Sequence, residues 1–209
     1  MIIAIDGPAA AGKGTLSRML AEHFDLARLD TGLIYRAVAK KALELEKPNS
    51  EESIVAIAQL LVFSDLDKKG LRDENVGAIA SEIAVIPGVR KMLLHFQRNF
   101  AKNPPNGKLG AVLDGRDIGT VVYPNADFKL FVTASIEVRA RRRYKELQDR
   151  GDEAIRSAVH RDIMNRDERD RNRFTSPLIP AEDAHILETS MLDSNAVFKE
   201  ALNLISLKK

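Results

Sequence analysis

The chain has 209 residues, of which 44% are hydrophobic and 30% charged, a composition typical of a globular protein with a sizeable core. Its 32 Lys and Arg residues nearly balance 30 Asp and Glu residues, and a net charge of +2 argues against a dedicated nucleic-acid-binding protein. The sequence has no cysteine, which excludes disulfides and thiolate metal sites.

Neither targeting nor metal binding is indicated by the remaining composition. No apolar run approaches the length of a membrane span, and the first residues lack the basic region of a signal peptide. The four histidines are far apart in sequence, without metal-site spacing. We therefore expect a cytoplasmic enzyme with no membrane partner and no metal ligand set of its own.

The first predicted strand, residues 2–5, leads into a glycine-rich loop, and a helix is predicted to begin at Lys13. Strand, glycine-rich loop and helix are the context of a phosphate-binding loop, in which backbone N–H groups and the lysine bind phosphate oxygens. The alternative is an ordinary glycine-rich turn with a surface lysine. We predict that ATP is bound by Gly7, Pro8, Ala9, Ala10, Ala11, Gly12, Lys13, Gly14 and Thr15.

Residue 14 is a glycine, whereas such loops usually have a serine or threonine that holds Mg²⁺ after the lysine. The hydroxyl comes one residue later, at Thr15. This Gly-Lys-Gly-Thr variant resembles the nucleoside monophosphate kinases. The resemblance implies that Thr15 bonds a phosphate and that Mg²⁺ is held mainly by ATP and water.

The next part of the chain is mostly helical. Residues 27–30 form a short, partly apolar segment, and Thr31 is predicted to be the N-cap of a helix over 33–45. Further helices are predicted over 51–63, 75–85 and 88–102, with breaks at 47–50 and 103–107. The segment 64–72 is either a short hairpin or a loop. Because no buried parallel strand is indicated between 48 and 107, we interpret this stretch as an insertion.

Strands then alternate with helices again. Apolar strands are predicted over 109–113, 128–132 and 185–189. Helices are predicted from Ser135 to about 148, over about 152–164, and after Asp193. This alternation predicts an α/β P-loop fold of three layers with a central parallel sheet. We expect one domain, 1–209, with a core (1–47 and 108–209), an acceptor-binding insertion (about 48–107) and an arginine-rich lid (about 151–180).

A charged cluster follows the predicted strand at 109–113. In open α/β sheets ligands bind at the carboxyl ends of the strands. Asp114 is placed to act near Mg²⁺, and Arg116 has the planar fork that suits a phosphate. The alternative is a turn with a local salt bridge.

Four arginines, at 166, 169, 171 and 173, are crowded together with Asp170 in one short segment. Such a segment suits phosphoryl transfer, in which negative charge spreads over the transferred group and a closing segment excludes water. The alternative is a solvated helix with pairs such as Arg166 with Asp170. Most basic residues of the helix after Ser135 are expected to be solvated or paired, for instance with Glu137 and Glu146.

Five blocks, at 3–15, 29–36, 80–90, 114–120 and 166–173, together resemble the bacterial cytidylate kinases over nearly the whole chain. The blocks Asp114-Gly-Arg-Asp-Ile-Gly-Thr120 and Arg166-Asp-Glu-Arg-Asp-Arg-Asn-Arg173 are the most specific. The resemblance implies transfer of the γ-phosphoryl group of ATP to CMP or dCMP. It implies ATP as co-substrate, Mg²⁺ carried by ATP, no nucleic-acid partner and a monomer.

The resemblance also implies residue roles. Arg36 and Arg116 would hold the acceptor phosphate, Ser81, Arg90 and Asp117 the cytosine, and Arg166 and Asp170 the ribose. Thr31 stands where the family often has serine. The implied CMP-binding residues are Thr31, Arg36, Ser81, Arg90, Arg116, Asp117, Arg166 and Asp170. The implied catalytic residues are Lys13, Arg116, Arg166 and Arg173.

Asp117 suits cytosine chemically, because a carboxylate accepts from its exocyclic amine and leaves uracil unsatisfied. The segment between Phe63 and Asn75 is short, whereas longer family members carry more sheet there.

Two alternatives for the function stay open. One is another P-loop kinase acting on a different monophosphate or small metabolite. The other is a nucleotide-binding switch or nucleic-acid-linked ATPase.

Overall fold

The structure is a computed structural model, and it describes residues 1–45 and 50–206. The predicted break at 47–50 lies outside the described residues except for Ser50. The chain forms two compact units. The core unit comprises Met1–Arg28 and Pro104–Lys209, and the inserted unit comprises Leu29–Asn103. The stretch that the sequence indicates as an insertion, 48–107, falls mostly within the inserted unit, to which residues 29–45 also belong.

Parallel strands form the central sheet, in the order β2-β3-β1-β4-β5. Every residue of the first strand is buried, as its β-branched sequence predicts for a central parallel strand. In the register, Ile5 lies opposite Asp114 on one side and Leu130 on the other, so the neighbouring strands end at the same edge. The strands are β1 (Ile2–Asp6), β2 (Ala27–Asp30), β3 (Ala111–Gly115), β4 (Phe128–Thr133) and β5 (His185–Glu188).

Helices connect these strands and build most of the inserted unit. In the core unit, Leu16 and Leu20 of the first helix and Ile205 of the last pack with Ile3 and Ile5 in one apolar core. The helices are α1 (Lys13–His23), α2 (Thr31–Glu44), α3 (Glu51–Gln59), α4 (Glu74–Ile83), α5 (Pro87–Lys102), α6 (Ile136–Asp149), α7 (Arg156–Asn172) and α8 (Ser194–Ser206). The α/β fold with a central parallel sheet is therefore confirmed.

Local predictions at the helix ends were mostly confirmed. The α1 helix begins at Lys13, Ser135 Oγ accepts from Val138 N, and Asp193 accepts from Ala196 N at the start of α8. Thr31 is not an N-cap, because α2 already begins at this residue and Asp30 precedes it in an extended conformation. The helix α7 continues to Asn172, so that most of the arginine-rich segment is helical.

The segment 64–72, which the sequence predicts to be either a short hairpin or a loop, contains no strands. The α3 helix ends at Gln59, and Phe63–Asp67 is a short 3-10 helix. The Phe63 ring lies 4.5 Å from that of Phe96 and 5.7 Å from that of Phe100 on α5, measured between ring centroids. The Phe63 side chain of this short helix therefore packs on α5. No helix among residues 1–45 and 50–206 is both long and apolar enough to cross a membrane.

Candidate active site

The glycine-rich loop joins β1 to α1 at the carboxyl edge of the sheet. Gly7 has a φ of +144°, and a Cβ at this position would overlap the carbonyl oxygen of Val132 in β4. Gly12 has a φ of +100° and directly precedes α1. Because glycine has no side chain to cap the helix, the first N–H groups of α1 are available to an anion. Gly14 and Thr15 are exposed in this first turn.

Lys13 is buried, with only 7% of the residue exposed, and its Nζ donates to the carbonyl oxygen of Pro8 at 2.7 Å. Burial lowers the pKa of Lys13 well below its usual range, and the charges of Arg116 and Arg166 lower it further. Asp114 and Asp170 oppose this shift. A buried cation among other cations is stabilised by an anion, which a nucleotide phosphate would supply.

Asp6, the last residue of β1, is buried behind the loop. Its two carboxylate oxygens accept from the backbone N–H groups of Ile118 and Gly119, at 2.7 and 2.8 Å. Burial raises the pKa of Asp6 to about 6, although these two hydrogen bonds act in the opposite direction. Through its two hydrogen bonds the carboxylate fixes the backbone that follows Asp117.

Asp114, near the end of β3, is held by two groups of the core unit. Ser17 Oγ on α1 donates to Asp114 Oδ2 at 2.6 Å, and Arg28 Nη2 donates to the same oxygen at 3.2 Å. Arg28 Nε also donates to Ser17 Oγ at 2.7 Å. The carboxylate is therefore part of a hydrogen-bonded set of three side chains at the start of α1.

Arg116 and Asp170 connect the end of β3 to α7. Arg116 Nε donates to Asp170 Oδ2 at 2.7 Å. Burial alone would raise the pKa of Asp170, but the positive charges of Arg116, Arg166 and Arg173 outweigh it and lower the pKa. The sequence left open that Asp170 simply pairs with Arg166 of the same helix. In the structure Asp170 is influenced by Arg166 and is also bonded to Arg116, which lies outside the helix.

The residue after α7, Arg173, faces a second carboxylate of the same cluster. Its Nη2 lies 3.9 Å from Asp117 Oδ1, with both side chains less than a tenth exposed. Arg173 Nε donates to the backbone carbonyl of Ser176. The core unit thus brings together Lys13, Arg116, Asp117, Arg166, Asp170 and Arg173, all of which the sequence indicates as site residues.

The other four predicted acceptor residues belong to the inserted unit. Arg36 on α2 donates to the carbonyl oxygens of Leu71 and Asp73, at 2.9 and 3.2 Å. Arg90 on α5 is buried, donates to the carbonyl of Ala84 at 3.1 Å, and lies 5.8 Å above the Tyr35 ring. The first residue of α2, Thr31, is buried, and Ser81 on α4 is half-buried.

Sequence reasoning missed several buried polar residues of the core unit. The expectation that basic residues of α6 are solvated or locally paired holds for Arg143, whose Nη1 lies 2.8 Å from Glu146 Oε1. Arg139 is also paired, but its partner is Asp167 of α7 and both side chains are buried, which the sequence did not indicate. Arg142 donates to Thr189 Oγ1 and to its carbonyl oxygen, at 2.9 and 2.7 Å.

The signal that could have identified these residues is weak. Arg139 and Asp167 each lie within a charged run, and only the helical spacing of Asp167 from buried Val159 and Ile163 marks it as facing inward. Within residues 1–45 and 50–206, no group of three or more His, Asp or Glu side chains is arranged to hold a metal ion.

The fold and the site define the class. A glycine-rich loop between β1 and α1, a buried lysine at its end and arginines at the carboxyl edge of a parallel sheet are features of a P-loop kinase. A solved structure of shikimate kinase from Bacteroides thetaiotaomicron shares the fold. Its TM-score is 0.51 at 14% sequence identity, over 99% of this chain and 97% of that chain.

The sequence comparisons are more specific. A family model described as cytidylate kinase matches residues 3–207. A cytidylate kinase from Paramagnetospirillum magneticum is 55% identical over 100% of this chain and 99% of its own length. A cytidylate kinase from Methylocella silvestris is 52% identical over 98% of this chain and 94% of its own length. The chain belongs to the cytidylate kinase family.

Proposed function

We propose that the protein transfers the γ-phosphoryl group of ATP to CMP and dCMP, producing ADP and CDP or dCDP. The main observation in support of the proposal is that Lys13, Arg116 and Arg166 lie close enough together in the core unit for their charges to interact. Burial lowers the pKa of the lysine, and the charges of the two arginines lower it further. Nucleotide phosphates would stabilise such a group of cations.

The donor is assigned to the glycine-rich loop. Gly7 and Gly12 give the backbone its turn, and the N-terminus of α1 presents N–H groups to the β- and γ-phosphates. Lys13 would exchange its bond to the Pro8 carbonyl for phosphate oxygens. The hydroxyl of Thr15, in the exposed first turn, would bond a phosphate.

Mg²⁺ would enter with ATP and be coordinated mainly by its phosphates and water. The chain offers oxygen ligands of the kind that Mg²⁺ prefers, and Asp114 is the carboxylate we assign to face it. Ser17 and Arg28 orient this carboxylate. When bound, the ion would neutralise charge on the transferring group.

The CMP or dCMP acceptor is assigned to the residues that the family resemblance implies. Arg36 and Arg116 would bind its phosphate, because a guanidinium matches phosphate oxygens with two parallel hydrogen bonds. Arg166 and Asp170 would contact the ribose. Ser81, Arg90 and Asp117 would bind the cytosine, and Thr31 would contribute its hydroxyl.

The chemistry requires no covalent enzyme intermediate. The acceptor phosphate oxygen attacks the γ-phosphorus in line, and ADP leaves as the new bond forms. The residues of this chain hold the two nucleotides and stabilise the charge on the equatorial oxygens. Lys13, Arg116, Arg166 and Arg173 are assigned to this charge stabilisation.

The family resemblance implies a monomer, and we propose that the monomer is the active form. ATP and CMP are cytoplasmic nucleotides, and we propose that the protein acts in that compartment. Its charge balance, a net +2, supports small nucleotides over nucleic acid as partners.

Release of ADP in the presence of ATP and Mg²⁺ tests the proposal, with CMP, dCMP, UMP, AMP, GMP and no acceptor compared in parallel. Strong stimulation by CMP and dCMP is expected, and the Lys13→Met variant should lose it. Stimulation by another acceptor alone would indicate a different P-loop kinase. A rate of ADP release that is the same with every acceptor and with none would indicate an ATPase or a nucleotide-binding switch.

A further inference from the structure

A buried ion pair joins α6 to α7 in the core unit. Arg139 Nη1 and Nη2 donate to the two carboxylate oxygens of Asp167, at 3.1 and 2.6 Å. The two side chains are only 4% and 8% exposed. Two parallel bonds from a planar guanidinium to a carboxylate fix orientation as well as distance.

The same guanidinium also contacts the phosphate loop. Arg139 Nη1 donates to the carbonyl oxygen of Ala9 at 3.3 Å, and Nε donates to that of Ala134 at 2.9 Å. Ala134 follows β4, and Ala9 lies in the loop assigned to ATP. One side chain therefore connects the sheet edge, the donor loop and α7.

The buried residues of α7 change in character along the helix. In the first half, Val159 and Ile163 pack against Ala140 and Leu147 of α6. In the second half the buried residues are Asp167 and Asp170. Each of these carboxylates is bonded to an arginine, namely Arg139 and Arg116. Ion pairs therefore hold the half of α7 that carries the assigned arginines.

We propose that Arg139 is a positioning residue for phosphoryl transfer, which holds the second half of α7 in register with the phosphate loop. This inference rests on the proposed function. Arg139 acts through Asp167 and the Ala9 carbonyl, whereas Arg166, adjacent to Asp167, acts on the phosphates. The backbone of α7 at Asp167 is accordingly fixed against the phosphate loop.

Stability alone does not account for such a pair. Replacing a buried ion pair by apolar residues of similar size is often neutral or stabilising, because the charges no longer need to be desolvated. Orientation is what an apolar pair cannot reproduce. Misplacement of catalytic groups by about 1 Å can lower turnover by about 10²-fold.

The test uses the double variant Arg139→Met/Asp167→Leu and the single variant Arg139→Lys. Arg150→Lys is the matched control, because Arg150 directly follows α6 and pairs with Asp152 at 2.8 Å in an exposed position. For each protein kcat, the KM for ATP and for CMP, the thermal midpoint and the amide hydrogen exchange of residues 156–172 are measured.

We expect the double variant to fold with a midpoint near that of the wild type, while kcat falls by about 10²-fold. The KM for ATP should change little, because the donor loop itself is intact. Hydrogen exchange should accelerate over residues 167–172 and stay slow over 156–163. Arg139→Lys should show the same pattern more weakly, and Arg150→Lys should behave as the wild type.

A folded double variant with wild-type kcat overturns the proposal. So does a lower thermal midpoint with unchanged kcat per folded molecule, because the pair would then serve stability only. If the double variant does not fold, Arg139→Lys decides by the same criteria. If the wild type shows no turnover with CMP, the proposed function fails, and hydrogen exchange of α7 still tests the positioning role.

Discussion

Arg116 at the start of the β3-to-β4 connection donates to Asp170 on α7 at 2.7 Å, across 54 residues of sequence. The carboxylate balances the arginine while no phosphate is bound, and the arginine in turn lowers the pKa of the carboxylate. The ion pair therefore gives the site its geometry before substrate arrives. Its energetic and kinetic roles can be separated by substituting one partner at a time.

Asp170→Asn should destabilise the protein by about 1–3 kcal/mol at pH 7, because Arg116 loses a charged partner in a largely buried site. A carboxylate with a lowered pKa stabilises the folded state above its unfolded pKa of about 3.9, and this contribution disappears as the pH falls through the folded pKa. The difference between variant and wild type should therefore be constant near neutral pH and shrink below about pH 4. Urea unfolding at several pH values measures it, and a difference independent of pH down to 3 would refute the assignment.

Arg173→Ala should lower kcat by about 10²-fold or more while the Kd for ATP changes little, because charge on the transferring group is greatest in the transition state. Arg161→Ala, an exposed position in the first half of α7, is the control. Single-turnover kinetics with CMP and equilibrium binding of ATP separate the two effects. Equal turnover of variant and wild type would remove Arg173 from the mechanism.

The parts of the fold that local sequence determines were predicted well. The start of α1 at Lys13 follows from the glycine-rich loop, and the cap at Ser135 follows from a side chain bonding a backbone N–H three residues away. The 3-10 helix at Phe63–Asp67 was not predicted, and its Phe63 packs on α5, about 30 residues later in the sequence.

The ion pairs of the site show the same limit. Arg116 and Asp170 were both indicated as site residues, but nothing in the sequence shows that they bond to each other. Arg139 and Asp167 are 28 residues apart in charged helices, and charged side chains on helices are usually solvated. Only the packing of α6 on α7 shows which of these charges are buried.

Asp117→Ala should reduce the preference for CMP over UMP, measured as the ratio of kcat/KM values, by about 10-fold to 100-fold. The carboxylate is buried and is assigned to accept from the amine of cytosine, a group that uracil replaces by an acceptor. Asp162→Ala, which removes an exposed carboxylate from α7, is the control. An unchanged ratio would place the recognition of cytosine elsewhere.

Asp6 provides a prediction for pH. Its pKa is raised to about 6 by burial, so Asp6 binds a proton more readily in the folded state than in the unfolded state. A raised carboxyl pKa stabilises the fold at low pH, and this contribution is lost as the pH rises from about 4 through about 6. At neutral pH the group is ionised and accepts from the N–H groups of Ile118 and Gly119.

Protonation of Asp6 therefore weakens these two hydrogen bonds at acidic pH, and the backbone amide resonances of Ile118 and Gly119 should shift together with a midpoint near pH 6. In Asp6→Asn the same resonances should not titrate in this range, because an amide side chain does not ionise. Two-dimensional NMR of the ¹⁵N-labelled protein between pH 4.5 and 8 measures both. A midpoint near pH 4 would show that the backbone hydrogen bonds outweigh burial.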